Sequence, residues 1–181
     1  MSEAPDGPIE RFDRVVDSWF DPLRAIPPVD HVFYAASHLG DFSLIWHLLG
    51  AYKGLAPGND PRDAVELSLT MVAESAIVNW GIKSLFRRVR PPREHDPDGR
   101  SIRQPLTSSF PSGHASAAMT AAAVLGRDSR WKPLYYGVGA VVAASRIHVR
   151  MHHASDVVAG AATGFVLGKA AVGFWERVRR S

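Results

Sequence analysis

The sequence predicts an all-α fold, a helical bundle that crosses a membrane, with a separate amphipathic helix at its N-terminus. Three observations carry this. Residues 157–175 are almost wholly apolar, with Lys169 the one charge, and they reach the roughly 18-residue length of a spanning helix. Residues 63–86, 114–125 and 133–148 are further apolar or Ala-rich stretches of helical length. Residues 9–26 set Ile9, Phe12, Val15, Val16, Trp19, Phe20 and Leu23 at helical spacing, with Asp and Arg on the other face.

In chain order, residues 1–8 are acidic and Pro-rich and read as a disordered lead without the basic start and apolar core of a cleavable signal peptide. Insertion into a membrane would then use segments of the mature chain. The helix over 9–26 is too polar to span a bilayer and suits a protein or membrane surface; Pro27-Pro28 ends it. Residues 31–54 form the first candidate span, with Asp41 in its middle and histidines at 31, 38 and 47. A loop at 57–61 leads to the second, 63–86, a helix by its lack of breakers, which holds Glu66, Glu74 and Asn79. Residues 87–111 are rich in Arg, Pro and Asp and read as an irregular loop. Residues 114–125 form a helix of small residues suited to close packing, and a basic turn at 126–132 precedes another helix that tolerates Pro133 in its first turn. The expected division is 1–30 for the lead and amphipathic helix and 31–181 for the bundle.

If the segments alternate, the chain near 86, 113, 148 and 153 shares one face. Lys53, Arg62, Arg127, Arg130, Lys132, Arg177, Arg179 and Arg180 share the other, which the positive-inside rule makes cytoplasmic. Trp80, Trp131 and Trp175 lie near segment ends, where aromatic belts form. Mean hydropathy is only −0.08, so the last segment carries the membrane argument. The net charge of +3 is concentrated at the mouths of apolar segments, not in a stripe with aromatic platforms, so no nucleic acid is expected as a partner. The chain has no cysteine, which removes disulfides and thiolate metal sites.

Three stretches carry chemistry. In Ser145-Arg146-Ile147-His148-Val149-Arg150-Met151-His152-His153-Ala154-Ser155-Asp156, a carboxylate at 156 follows an imidazole at 152 by about one helical turn. An Asp that accepts from one ring nitrogen frees the other as a nucleophile or base, and the neighbouring arginines suit bidentate capture of phosphate oxygens. Phe110-Pro111-Ser112-Gly113-His114 opens a helix. There Ser112 is a natural N-cap, Gly113 lets an anion approach the backbone, and the free N–H groups bind phosphate. Lys83 closes one helix and Arg90 stands in the loop after it, with Pro91 fixing the chain direction.

Together, Lys83-x6-Arg90-Pro91, Pro111-Ser112-Gly113-His114 and Ser145-Arg146-x5-His152-x3-Asp156 occur in this order. They resemble the type-2 phosphatidic acid phosphatase superfamily, which also includes bacterial class A acid phosphatases and vanadium haloperoxidases. The resemblance covers roughly residues 63–168, and the short chain looks like the compact membrane branch that acts on lipid phosphates. It implies a helical bundle with the site at one end, His152 as nucleophile, Asp156 as its orienting carboxylate and His114 as general acid. Lys83, Arg90, Arg146, Ser112 and the Gly113 N–H would hold the phosphate. The implied activity is hydrolysis of a lipid phosphate monoester or pyrophosphate through a phosphohistidine, in the bilayer, with no metal and no cofactor. A phosphotransferase with an alcohol acceptor, a vanadate-dependent peroxidase and a non-enzymatic anion-binding membrane protein are the alternatives. His148, His152 and Asp156 also fall at four-residue spacing, which would suit a metal on one helix face, although the surrounding arginines would repel a cation. His31, His38, His47 and His95 match no motif and His153 is expected outside the chemistry. Glu74 is open between a proton relay and a packing partner. Arg87, Arg88, Arg93, Arg100 and Arg103 could attract anionic lipid headgroups; the default expectation is that they solvate a loop.

Overall fold

The structure is a computed structural model that describes residues 7–92 and 105–181. Most of the expected lead, together with Arg93, His95, Arg100 and Arg103, lies outside the described residues. Seven α-helices form a bundle among the described residues: α1 Pro8–Arg24, α2 Pro27–Leu39, α3 Leu44–Leu55, α4 Arg62–Ser75, α5 Gly113–Leu125, α6 Lys132–His148 and α7 Ala154–Val178. Pro27-Pro28 does more than stop α1. It also opens α2, where a missing N–H costs nothing.

Around α5 the packing sets small residues inside and large ones outside, although Trp46, Leu67 and Met71 are also buried in the core. Ala115, Ala117, Ala118, Ala121, Ala122 and Ala123 of α5 are buried, while Leu48, Leu69, Val72, Phe165, Val166 and Phe174 are exposed. A water-soluble core reverses this order; helices that pack in lipid follow it, because small residues let backbones approach. The closest approach is between α5 and α7. A Cβ on Gly160 would stand 2.3 Å from the Ser112 carbonyl oxygen, and one on Gly164 would stand 2.0 Å from that of Ser116. Gly168 meets Thr120 in the same way, and the Thr120 hydroxyl donates to the Gly164 carbonyl at 3.0 Å. This seam keys the first turn of α7 to the first turn of α5, and the Ser112 N–H donates to the Asp156 carbonyl at 3.0 Å. Among the described residues, α7 is the one helix long and apolar enough to cross a membrane by itself.

Two expected spans are not continuous helices. Residues 31–54 break after α2 into a short 3₁₀ turn, Asp41–Ser43, before α3 resumes. Phe42 and Ser43 take left-handed angles, φ 52° and 59°. Tertiary contact imposes the break: a Cβ on Gly40 would lie 2.8 Å from the His114 ring and 2.9 Å from Val142, and Asp41 is bonded to His114. The second span also changes winding. α4 ends at Ser75, a π-helical stretch runs Ala76–Gly81 and a 3₁₀ turn runs Ile82–Leu85. Such rewinding is frequent at functional sites; here it brings Asn79 and Lys83 beside Gly113.

The chain alternates as the segment order requires. Asp30 on α2 meets His148 at one end, and Lys53 on α3 donates to the Leu125 carbonyl at the other, so α2 and α3 together pass from end to end. At that second end Arg127 and Arg179 both bind Asp63 and Glu66, and Lys53 approaches Asp63 at 3.5 Å. Part of the basic face read from the sequence is thus neutralised by carboxylates of α4.

Candidate active site

The turn between α6 and α7 places His152. Both Met151 N–H and His152 N–H donate to the Arg146 carbonyl, at 3.0 and 3.1 Å, and Arg90 Nη1 donates to the Met151 carbonyl at 2.7 Å. His152 is 3% exposed and Asp156 is fully buried. The pair was expected one helical turn apart, but α7 starts at Ala154, after His152. The side chains meet through the helix cap instead. Asp156 is the third residue of α7, its Oδ2 accepts the His153 N–H at 2.9 Å, and the same oxygen lies 3.7 Å from His152 Nδ1.

The tautomer of His152 follows from its neighbours. Arg90 Nη1 is 3.3 Å from His152 Nε2, and a guanidinium offers only donors. Nε2 is therefore the acceptor, and Nδ1 carries the proton toward Asp156. Burial lowers the His152 pKa to about 3, the cations of Arg146, Arg90 and Lys83 push it the same way, and Asp156 opposes them. The ring is neutral at physiological pH, with its Nε2 lone pair facing the cationic side of the site.

Ser112 caps α5 as expected, its hydroxyl accepting from the Ala115 N–H at 3.4 Å. The loop reaching it is itself buried at Ser109, Pro111 and Ser112. A Cβ on Gly113 would lie 2.9 Å from Asn79 Oδ1 and 3.5 Å from Lys83 Nζ, so a side chain there would occupy the space between the helix N-terminus and the ammonium. Arg146 is buried and donates to the Ser37 hydroxyl of α2. Lys83, Arg90, Arg146, Ser112, Gly113, His114, His152 and Asp156 thus converge at one end of the bundle.

Three partners escaped the sequence reading. Asp41 Oδ1 meets His114 Nε2 at 2.9 Å, with His38 3.5 Å from its other oxygen. Arg88, expected to solvate a loop, donates to Asp156 Oδ1 at 2.6 Å and to Asp13 Oδ2 at 2.5 Å. Asp13 is a buried residue of α1. Asp41 had a visible signal, a carboxylate inside an apolar segment; Asp13 and Arg88 had none in local spacing. His148 leaves the site: it bonds Asp30 at 2.8 Å and stacks on Phe33 at 4.4 Å, so it does not share a face with His152 and Asp156. His153 reaches the Val89 carbonyl at 3.2 Å, and Glu74 is buried with Oε1 lacking a hydrogen-bond partner among the described residues.

Comparison with known proteins agrees with this geometry. The profile of the PAP2 superfamily matches residues 63–180, which takes in every motif residue of the site. The chain belongs to the PAP2 superfamily. It falls in that superfamily's membrane phosphatase branch. It is 34% identical over 162 residues to the decaprenylphosphoryl-5-phosphoribose phosphatase of Mycolicibacterium smegmatis, covering 88% of this chain and 84% of that one. Its fold matches the transmembrane PAP2-type phosphatidylglycerolphosphate phosphatase of Bacillus subtilis with a TM-score of 0.74 at 22% identity, over 96% of this chain and 89% of the other. It also matches Aquifex aeolicus LpxE with a TM-score of 0.71 at 23% identity, over 96% and 99%.

Proposed function

We propose that this PAP2 protein hydrolyses a lipid phosphate monoester or pyrophosphate, of the phosphatidic acid, phosphatidylglycerol phosphate or polyprenyl phosphate type, through a phosphohistidine at His152. The observation that carries the reading is the neutral, buried His152, with Asp156 behind Nδ1 and Arg90 at Nε2. Phosphoryl transfer asks mainly for positioning and for charge on the equatorial oxygens. Lys83, Arg90, Arg146 and the N-terminus of α5 supply both. Nε2 attacks phosphorus as the ester P–O bond breaks, and the departing oxygen takes the proton of His114. Water then attacks the phosphohistidine, giving its proton back to His114, and inorganic phosphate leaves. Burial holds the His114 pKa below its ordinary value, Arg146 and Lys83 push the same way, and Asp41, accepting from Nε2, opposes them and favours the charged ring that this acid role needs.

The lipid class is supported by what surrounds the cations. Trp80, Leu85, Val89 and Leu106 are exposed around the loops that carry Lys83 and Arg90. An ester tail there meets apolar walls, and each buried methylene contributes about 0.8 kcal/mol. The M. smegmatis relative is named for a polyprenyl-linked substrate, which fits the same reasoning. We infer that the site of this membrane protein lies outside the cytoplasm; the support is that the opposite end carries Arg127, Arg130, Lys132, Arg177, Arg179 and Arg180. The test is kcat/KM in mixed micelles at fixed surface fraction, for short-chain and long-chain lipid phosphates and for glucose phosphate. Efficiency rises with chain length if the reading holds; equal efficiency for glucose phosphate and a long-chain lipid phosphate overturns the lipid class.

A further inference from the structure

Asp156 orients His152 only if the carboxylate is itself held. One of its oxygens is fixed by the His153 N–H and the other by Arg88. Arg88 occupies one of the unspecified positions of Lys83-x6-Arg90-Pro91, two residues before Arg90. Its guanidinium donates at the same time to Asp156, to the Ser155 hydroxyl at 2.7 Å and to Asp13. Asp13 also accepts the Ser155 N–H at 2.7 Å and the Ser155 hydroxyl at 2.9 Å. It therefore closes the first turn of α7 from a different helix. Val16 and Phe20 of α1 pack against Ala143, Ile147 and Val157, and Arg24 donates to the Ile147 and His148 carbonyls. α1 is thus fastened on both sides of the turn that carries His152.

We propose that Arg88 and Asp13 are positioning residues for the phosphatase reaction, with α1 setting Arg88 and Arg88 setting the plane of the Asp156 carboxylate that orients His152. The inference rests on the phosphohistidine reading of His152. Four groups alternate in a line, imidazole, carboxylate, guanidinium, carboxylate. A guanidinium can hold two carboxylates in fixed directions because it is planar with donors on several edges; an ammonium cannot. Removing Arg88 leaves Asp156 Oδ1 buried without its donor, and the carboxylate is then free to turn away from Nδ1 or to take up a proton.

The experiment compares Arg88→Gln, Arg88→Lys and Asp13→Asn in the full-length protein in detergent. Each is measured for kcat, KM and the His152 tautomer by ¹⁵N NMR of labelled histidine. Arg88→Gln is expected to lose about 10- to 100-fold in kcat with KM nearly unchanged. Arg88→Lys is expected to fall between it and the wild type, and added guanidinium to restore part of the rate. His152 loses its fixed Nδ1–H form in Arg88→Gln. Asp13→Asn, which leaves Arg88 in place, shows the same changes to a smaller degree and guards against an Arg88 variant that fails to fold. A wild-type kcat in Arg88→Gln, or an unchanged His152 tautomer, overturns the inference while the wild-type enzyme still turns over lipid phosphate. A tautomer that shifts in Arg88→Gln when the wild type hydrolyses no lipid phosphate leaves the positioning role standing and overturns the phosphatase reading instead.

Discussion

Replacing Asp41 with Asn tests how the broken first span serves the chemistry. The Asp41–His114 contact is 2.9 Å, and a hydrogen bond to a charged group contributes about 1.5–3 kcal/mol. The Asp41 side chain is 37% exposed, so solvent screening leaves about 1–2 kcal/mol. At 1.36 kcal/mol per factor of ten, that is about a 5- to 30-fold loss in any step that needs charged His114. An alkyl phosphate needs the acid, because its alkoxide leaves poorly. A p-nitrophenyl ester does not, because its leaving group departs as a stable anion. Asp41→Asn is therefore expected to slow alkyl ester turnover by that factor while scarcely changing formation of phosphoenzyme from the aryl ester, measured by burst kinetics. Equal losses for both esters would show that Asp41 holds the fold and not the acid, and no loss for either would remove it from the mechanism.

The α5–α7 seam predicts that Gly164→Ala, whose Cβ meets a backbone carbonyl oxygen, destabilises by about 1–3 kcal/mol or more in thermal unfolding in detergent. Gly173→Ala, with nothing within 4 Å, is the neutral control. His152 falls from an ordinary 6.5 to about 3 on folding, so the unfolded chain binds the extra proton first. Its contribution to stability is complete above 6.5 and is lost as the pH drops toward 3, and acid titration of unfolding reads that direction. For the same reason the acid limb of kcat/KM follows the second ionisation of the substrate phosphate, about pH 6. It should move with substrates of different phosphate pKa; a limb fixed for all substrates contradicts this. Hydrolysis is expected to survive a chelator, and vanadate to inhibit by occupying the cradle of Lys83, Arg90 and Arg146. Activity lost in chelator and restored by a divalent ion would contradict the metal-free mechanism.

The candidate site was legible in the sequence where its residues are held by local devices. Ser112 caps α5 three residues before its partner Ala115, and Asp156 caps His153 at the same separation. The helical turn expected between His152 and Asp156 was replaced by this cap, which delivers the same pairing from a different backbone. What was not legible came from distant segments. Asp41 lies 73 residues from His114, Asp13 lies 75 from Arg88, and Arg88 lies 68 from Asp156. No local period places such pairs. The break at 41–43 is of the same kind, since Gly40 is held against His114 and Val142 by tertiary packing. Arg88 misled because a charged residue in an Arg-rich loop is ordinarily solvated. His148 kept the four-residue spacing of a metal ligand, yet its ring turned to Asp30 because α6 ends there and the chain reverses direction before His152.

The central claim is that Nε2 of His152 forms the bond to phosphorus. Rapid acid-free quenching of ³²P-labelled p-nitrophenyl phosphate, whose leaving group needs no acid, with the His114→Ala protein, followed by peptide mapping, tests it directly. Acid-labile, base-stable label is expected on the peptide that contains His152, and none in His152→Ala. Label on the peptide that contains residue 114 in the wild-type protein, or turnover by His152→Ala, would contradict it.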